Sequence, residues 1–571
     1  MRIKFRRLSP LLVLLVTLAS GLIASQAVAQ VPSDRRLPPD VYAYVTAPSV
    51  PQLKARWSKS QLGKLQNDAA LADFLGEISG KLDEWASQAE KQLGIKPADL
   101  LDVPAGEVSI ALLNPGGNQI AATLFLDFGQ QRKTVDALLV KAAQAAADKG
   151  GVRSETMFDG TTIVSFTQKA ADDGAARNNS VNYFIKDTHI VVSSDRTALQ
   201  AVLVRWDGKH ERTLADNPIY SYIAKKCRDA DTRPALTWYA DPVGMIRTAL
   251  TAGGGANLQT AMILNFLPRL GVEKLKGIGG SYDLATGDYD SISRTMMYVE
   301  SPTTGVIDVF RFPAVDQTPP AWVAADIDGY LALNWDVAGA FTAVENVVDS
   351  FNVPGTLGAL LDNIANSPGG PGLHPKKDLI DNLSGKVHLL TGGPAGDAAS
   401  AERMLVAFEL KNAAAAKKVL VGATEDPNFK GKSRQFGNET IYEVDSGNGS
   451  VSIAVASGHL LVSTDAKLLE GVIQPDKQKP RLAAAADYKK HSARFPGKTS
   501  IISYQRQDTR IRSGYEALRA AKTSSVVPGI DFGKLPPFDV VSKYLSASAS
   551  YAVPDERGAY FVSYSLAGEK K

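Results

Sequence analysis

"HIVVSSDRTALQAVL", His189–Leu203, decides how this chain is read. Its first five residues have the apolar, β-branched character of a strand, and a Ser-Ser-Asp step leads into an amphipathic octet with helical spacing. A strand rises about 3.3 Å per residue, so His189 and Ser193 would stand roughly 13 Å apart. A base has to lie about 3 Å from the hydroxyl it activates, so the local pair is no nucleophile and base. Ser194 or Asp195 is instead placed to accept from the free amides at the helix start, where negative charge is also favoured.

The stretch has an echo, "HLLVSTDAKLLEGVI", which begins at His459. His189, Val192, Ser193, Asp195, Leu199 and Val202 recur as His459, Val462, Ser463, Asp465, Leu469 and Val472. Further pairs follow in the same order. "DLLDVPAGEVSIALL" from Asp99 answers to "DLIDNLSGKVHLLT" from Asp378, "TLFLDF" from Thr123 to "LVAFEL" from Leu405, and "FDGTTIVSF" from Phe158 to "FGNETIYEV" from Phe436. Self-similarity of this length reads as duplication of a whole domain rather than a solenoid. The expected layout is a leader over residues 1–29, a first domain over 37–300, a proline-bearing join over 301–317 and a second domain over 318–571. Within each copy, hairpin signals such as Asp159-Gly160 alternate with amphipathic tracts such as Val135–Ala142. The expected fold class is therefore α+β: two tandem copies of one domain, each a mainly antiparallel sheet with helices packed on one face.

The leader is read from Arg2, Lys4, Arg6 and Arg7, the apolar run Leu11–Ala24 and the small-residue triplet Ala27-Val28-Ala29. That is the layout of a secretory signal peptide cut after Ala29, since the apolar run falls short of the ~20 residues a membrane span needs. No later stretch is apolar enough to span a bilayer. The formal net charge of +3 includes those four leader cations, so the mature chain is close to neutral. Bulk charge thus offers nothing to a nucleic-acid backbone. Cys227 is the single cysteine, so no internal disulfide forms, and a buried cysteine is expected despite Lys225, Lys226 and Arg228 beside it.

Reactive motifs are scarce. "SARFPGKT" from Ser492 and "DPNFKGKS" from Asp426 lack the first glycine of a phosphate loop, and no G-x-S-x-G elbow occurs. The six histidines, His189, His210, His374, His388, His459 and His491, make no zinc-ligand spacing. No cofactor and no metal is expected. Asp127 is matched by Glu409, read as the polar side of a strand. The candidates that remain are His189 and His459, which keep their place in both copies, and Trp238 with Tyr239 in "LTWYADP", which read as a strand at the core edge or the wall of a ligand groove.

"LPPDVYAYVTAPSVPQLKARW" from Leu37, "LADNPIYSYIAKKC" from Leu214 and "LTWYADP" from Leu236 resemble a family of large exported bacterial proteins defined as a domain of unknown function. The likeness covers most of the first copy, while the second departs from it, with "TSIISYQ" where the Trp-Tyr pair would stand. The resemblance implies export to the periplasm, cell envelope or medium, and it carries over no catalytic residue. The expected function is a non-enzymatic envelope or secreted protein that binds an envelope protein or polymer or supports assembly. Two alternatives stay open: a hydrolase or transferase with a site between the copies that includes His189 and His459, and a carrier of an apolar ligand around "MILNFL", Met262–Leu267.

Overall fold

The computed structural model describes residues 31–93, 99, 102–117, 119–167, 180–207, 211–229, 232–251, 258–366, 373–392, 403–425, 431–445, 449–522 and 529–568. The expected leader over residues 1–29, His210, Gly253–Gly255 and most of the polar stretch after Thr167 lie outside the described residues. Two compact units emerge. The first comprises the described parts of Met1–Thr260 with Leu275–Tyr298 and Lys522–Leu535, and the second comprises Ala261–Lys274, Val299–Ala521 and Pro536–Lys571. The short segments join their units through aromatic packing. Phe532 meets Phe74 at 5.7 Å in unit 1, and Phe266 meets Phe351 edge-on at 5.2 Å in unit 2.

Unit 1 carries β1 (Val41–Ala47), β2 (Val108–Leu113), β3 (Ala121–Asp127), β4 (Val152–Phe158), β5 (Thr161–Thr167), β6 (Ser180–Lys186), β7 (His189–Ser193), β8 (Leu236–Ala240), β9 (Leu275–Thr286) and β10 (Tyr289–Val299). Across the sheet they run β4-β5-β6-β7-β3-β2-β1-β8-β9-β10, with antiparallel ladders between neighbours. Asp159 and Gly160 join β4 to β5 with φ of 47° and 67°, the left-handed pair that a tight hairpin of matching twist requires.

Unit 2 carries β11 (Gly329–Asn334), β12 (Leu383–Gly392), β13 (Arg403–Leu410), β14 (Gly431–Phe436), β15 (Glu439–Asp445), β16 (Ser450–Ala456), β17 (His459–Ser463), β18 (Ile501–Gln505), β19 (Ser548–Asp555) and β20 (Gly558–Leu566). Their order is β14-β15-β16-β17-β13-β12-β11-β18-β19-β20, again antiparallel. The chain is thus α+β with extensive antiparallel sheet, as its hairpin signals require.

Helical cover in unit 1 reaches both faces of the sheet rather than one. Val135 and Leu138, from the Arg132–Asp148 helix, share a core with Val108, Leu126 and Ile190. His189 and Val191 point to the opposite face, where Trp206, just beyond the Arg196–Leu203 helix, packs on His189 and on Phe184, the partner of Val191 across the ladder. The cause lies in β3, whose Phe125 and Leu126 point to opposite faces and are both buried, so each side needs its own cover.

Unit 1 also buries charge. Asp283 is 0% exposed and is held by Arg56 at 2.9 Å, Arg294 at 3.4 Å and the Ala235 amide at 3.0 Å. Cys227 is buried, and that burial pushes its thiol up to about 12, so it packs rather than reacts at neutral pH. Among the described residues no helix is long and apolar enough to cross a membrane.

Candidate functional site

The strand, cap and helix order expected at His189 and His459 is what forms. Asp195 Oδ1 accepts from the Ala198 amide at 3.0 Å, and Asp465 Oδ1 accepts from the Leu468 amide at 2.9 Å. Ser193 and Ser463 each accept from the amide two residues on, at 3.2 and 3.0 Å. Ser194, the other capping candidate, and Thr464 at the same place in the second stretch instead clip the neighbouring strand by accepting from the amides of Ala122 and Met404, both at 3.0 Å. The side chains at Ser193 and Ser463, Ser194 and Thr464, and Asp195 and Asp465 are therefore engaged in making the fold.

The histidines sit on the same ladder position in each unit. His189 stands opposite Asp127 on β3, and His459 stands opposite Glu409 on β13. His189 is 3% exposed and meets the Trp206 indole edge-on at 5.6 Å, while its Nδ1 lies 3.4 Å from Thr188 Oγ1. Burial, helped by the nearby Arg36 guanidinium and opposed by Asp127 and Asp187, lowers its ionisation to about 4. His459 is 6% exposed, and its Nδ1 donates to the Ser457 carbonyl at 2.7 Å, leaving Nε2 without a partner. Its basicity too is lowered, chiefly by burial.

In unit 2 a second imidazole joins the first. His388 packs at 5.5 Å from His459, and both meet the indole of Trp322, at 5.7 and 5.3 Å. The Tyr330 hydroxyl lies 2.9 Å from His388 Nδ1, and burial with the neighbouring His459 lowers the His388 ionisation to about 3. His388 lies on β12 and His459 on β17, the two strands that flank β13. Their sequence separation gives no hint of the meeting, and the one available signal is that β12 and β17 echo β2 and β7.

Tyr239 is buried on β8 opposite Tyr44 of β1, with the half-buried Trp238 pointing to the other face. Tyr220 meets the rings of Tyr44 and Tyr239 edge-on at 6.0 and 5.6 Å. Unit 2 repeats the arrangement: Tyr504 lies opposite Tyr330 across β18 and β11, and Tyr488 meets Tyr504 edge-on at 5.5 Å. "TSIISYQ" therefore keeps the tyrosine, and only Trp238 is replaced, by Ser503. Tyr239 belongs to a core cluster rather than to a groove wall.

Residues 33–36 enter a hydrogen-bonded cluster that no local motif announces. Glu107 accepts from the Ser33 amide at 3.1 Å, Thr46 at 2.7 Å and the Tyr44 hydroxyl at 3.4 Å, while the Tyr220 hydroxyl donates to Asp34 at 3.0 Å. Burial raises the Asp34 carboxyl above the usual range. Arg36, 5% exposed, stacks 3.8 Å from the Trp206 ring centre. These bonds tie residues 33–36 onto β1 and β2.

Open clefts lie elsewhere. In unit 1 a cleft of about 760 Å³ runs between the Arg132–Asp148 helix and β4–β6, with Arg132, Arg153 and Lys186 balanced by Asp136, Asp159 and Asp187. In unit 2 one of about 360 Å³ includes Trp322, Arg403 and Lys467. Around "MILNFL", Met262 and Ile263 are exposed while Phe266 is packed on Phe351. Among the described residues no group of three or more His, Cys, Asp or Glu is arranged to hold a metal ion. No family model, curated protein or solved structure matches the chain.

Proposed function

We propose that the protein is an exported binding or structural component of the cell envelope or its surroundings, without a catalytic centre, and that it arose by duplication of one α+β module. The placement of the recurring side chains carries this reading: His189 and His459 stand opposite an acid, under an indole, with lowered basicity. A general base works best with an ionisation near the operating pH and a hydroxyl within reach. These imidazoles are weak bases, and the Nδ1 of His459 is occupied by a main-chain carbonyl.

The same strand order in both units and the paired tyrosine clusters support the duplication. The open clefts follow a different rule, since the two lie at non-corresponding places, one between the Arg132–Asp148 helix and β4–β6 and the other beside Trp322 and Lys467. Packing positions recur while surface positions diverge, as expected of a scaffold whose halves have taken different partners.

The test is native purification from the envelope with mass spectrometry of whatever stays bound, followed by cross-linking to identify a protein partner. Recovery of one specific envelope protein or polymer supports the reading, and co-purified lipid points to a carrier. A turnover that disappears in the His189→Gln, His459→Gln double variant while thermal stability is kept overturns it. Export is tested by N-terminal sequencing of the mature chain, expected to begin at Gln30.

A further inference from the structure

The unit 2 cleft combines an apolar lining with an excess of positive charge. Leu468, Ala324 and the edge of Trp322 contribute apolar surface, and Arg403, Lys467, Lys479 and Arg481 contribute the cations. Two acids lie among them, Asp326 and Asp476. Asp326 is already paired, through Lys479 Nζ at 2.7 Å. Asp476 accepts from the Gln478 amide at 2.9 Å, while its main-chain oxygen takes the Arg481 guanidinium at 2.8 Å.

Lys467 has no hydrogen-bond or ion-pair partner among the described residues, and it is exposed at the cleft. The Arg403 guanidinium lies across Gly392, 2.9 Å from where a Cβ would stand, so the glycine leaves the space that the cation uses. With Asp326 held by Lys479, the exposed Lys467 ammonium is left beside a tryptophan and aliphatic side chains. Its volume of about 360 Å³ lies at the small end of the range for organic ligands.

We propose that this cleft binds an organic anion with an apolar body, an aromatic or medium-chain carboxylate, the body lying on Leu468 and the exposed edge of Trp322 and the carboxylate reaching Lys467 and Arg481. The proposal goes beyond the binding role argued above and does not depend on the identity of a macromolecular partner. A carboxylate gains charge-assisted hydrogen bonds here, and a cation of the same shape meets like charge.

Calorimetric titration of the full mature chain with indole-3-propionate, decanoate and tryptamine tests it. Both acids are expected to bind one to one, more weakly as salt rises, and tryptamine at least about tenfold more weakly. Lys467→Glu is expected to weaken acid binding about tenfold, and Lys467→Arg to preserve it. Gly471 lines the cleft, and a Cβ there meets nothing within 4 Å, so Gly471→Phe fills the space without a clash at the backbone. It is expected to abolish binding with the unfolding temperature unchanged. The proposal is overturned if neither acid binds at millimolar concentration, if tryptamine binds as tightly as the acids, or if Lys467→Glu or folded Gly471→Phe binds as the parent does.

Discussion

Each unit buries a histidine at the same ladder position beneath an indole, yet the two indoles come from different places in the chain. In unit 1 the cover is Trp206, which follows the helix after β7, and in unit 2 it is Trp322, which precedes β11. Main-chain hydrogen bonds fix the equivalence. The Leu214 amide donates to Leu37 and the Leu482 amide to Val323, both at 3.0 Å, so Arg36 and Trp322 occupy corresponding positions. One unit places a guanidinium there and stacks it on a tryptophan supplied from elsewhere, and the other places the tryptophan there directly. What is retained is an enclosed, weakly basic imidazole beside an acid, and the chain position that supplies the lid is free to change.

The comparison breaks most visibly if either lid is removed. Trp206→Ala and Trp322→Ala are each expected to cost about 3–5 kcal/mol, read by urea unfolding, because both delete a buried aromatic side chain. A small loss at either would mean that the indole is peripheral to its histidine. Next in size is the buried ion cluster around Asp283 in unit 1. Asp283→Leu is expected to cost about 3 kcal/mol by leaving Arg56 and Arg294 without their shared carboxylate, while Val553, which holds that place in unit 2, tolerates leucine within about 1 kcal/mol.

Acid sharpens the contrast further. The folded protein holds His189 and His388 neutral down to about 4 and about 3, and His459 is shifted the same way. An unfolded chain takes up protons at about 6.5, so it binds more protons than the folded one in the window below that value. Stability is therefore intact above about pH 6.5 and falls as the pH drops toward 4, by about 1.4 kcal/mol per pH unit for each of His189 and His388, with His459 adding in the same direction. Unit 2, with two such groups, is expected to lose protection before unit 1 when hydrogen exchange is followed from pH 7 to 4.5. The smallest effect is at the caps: Asp195→Ala and Asp465→Ala should each cost about 1 kcal/mol, and nearly the same amount, in urea titrations.

The strand, cap and helix at His189 and His459 were legible because their signals are local: a β-branched run, an acid before an amphipathic octet, and a second copy of both. The Asp159-Gly160 hairpin was legible for the same reason. Local signals also explain why the sheet was expected to be covered on one face, since nothing in "TLFLDF" says that both sides of β3 find partners. The joining of His388 to His459 depends on strand order, which no spacing encodes. The role of Glu107 is not legible in the sequence because its donors, Ser33, Tyr44 and Thr46, gather only once residues 33–36 are laid on the sheet. The placement of Lys522–Leu535 in unit 1 is likewise a matter of tertiary packing, carried by Phe532 on Phe74.

The account stands on His189, His388 and His459 being neutral packing groups, and NMR of histidine ring carbons in selectively labelled protein measures that property itself. The imidazoles of His189 and His388 are expected to show no protonation shift between pH 7.5 and about 5, above their folded-state ionisations of about 4 and about 3, and His459 is expected to titrate below the ordinary imidazole range. An imidazole assigned to His189 or His459 that titrates near 6.5 or above would instead be a solvent-reachable, carboxylate-supported base, and would contradict the structural role argued for both.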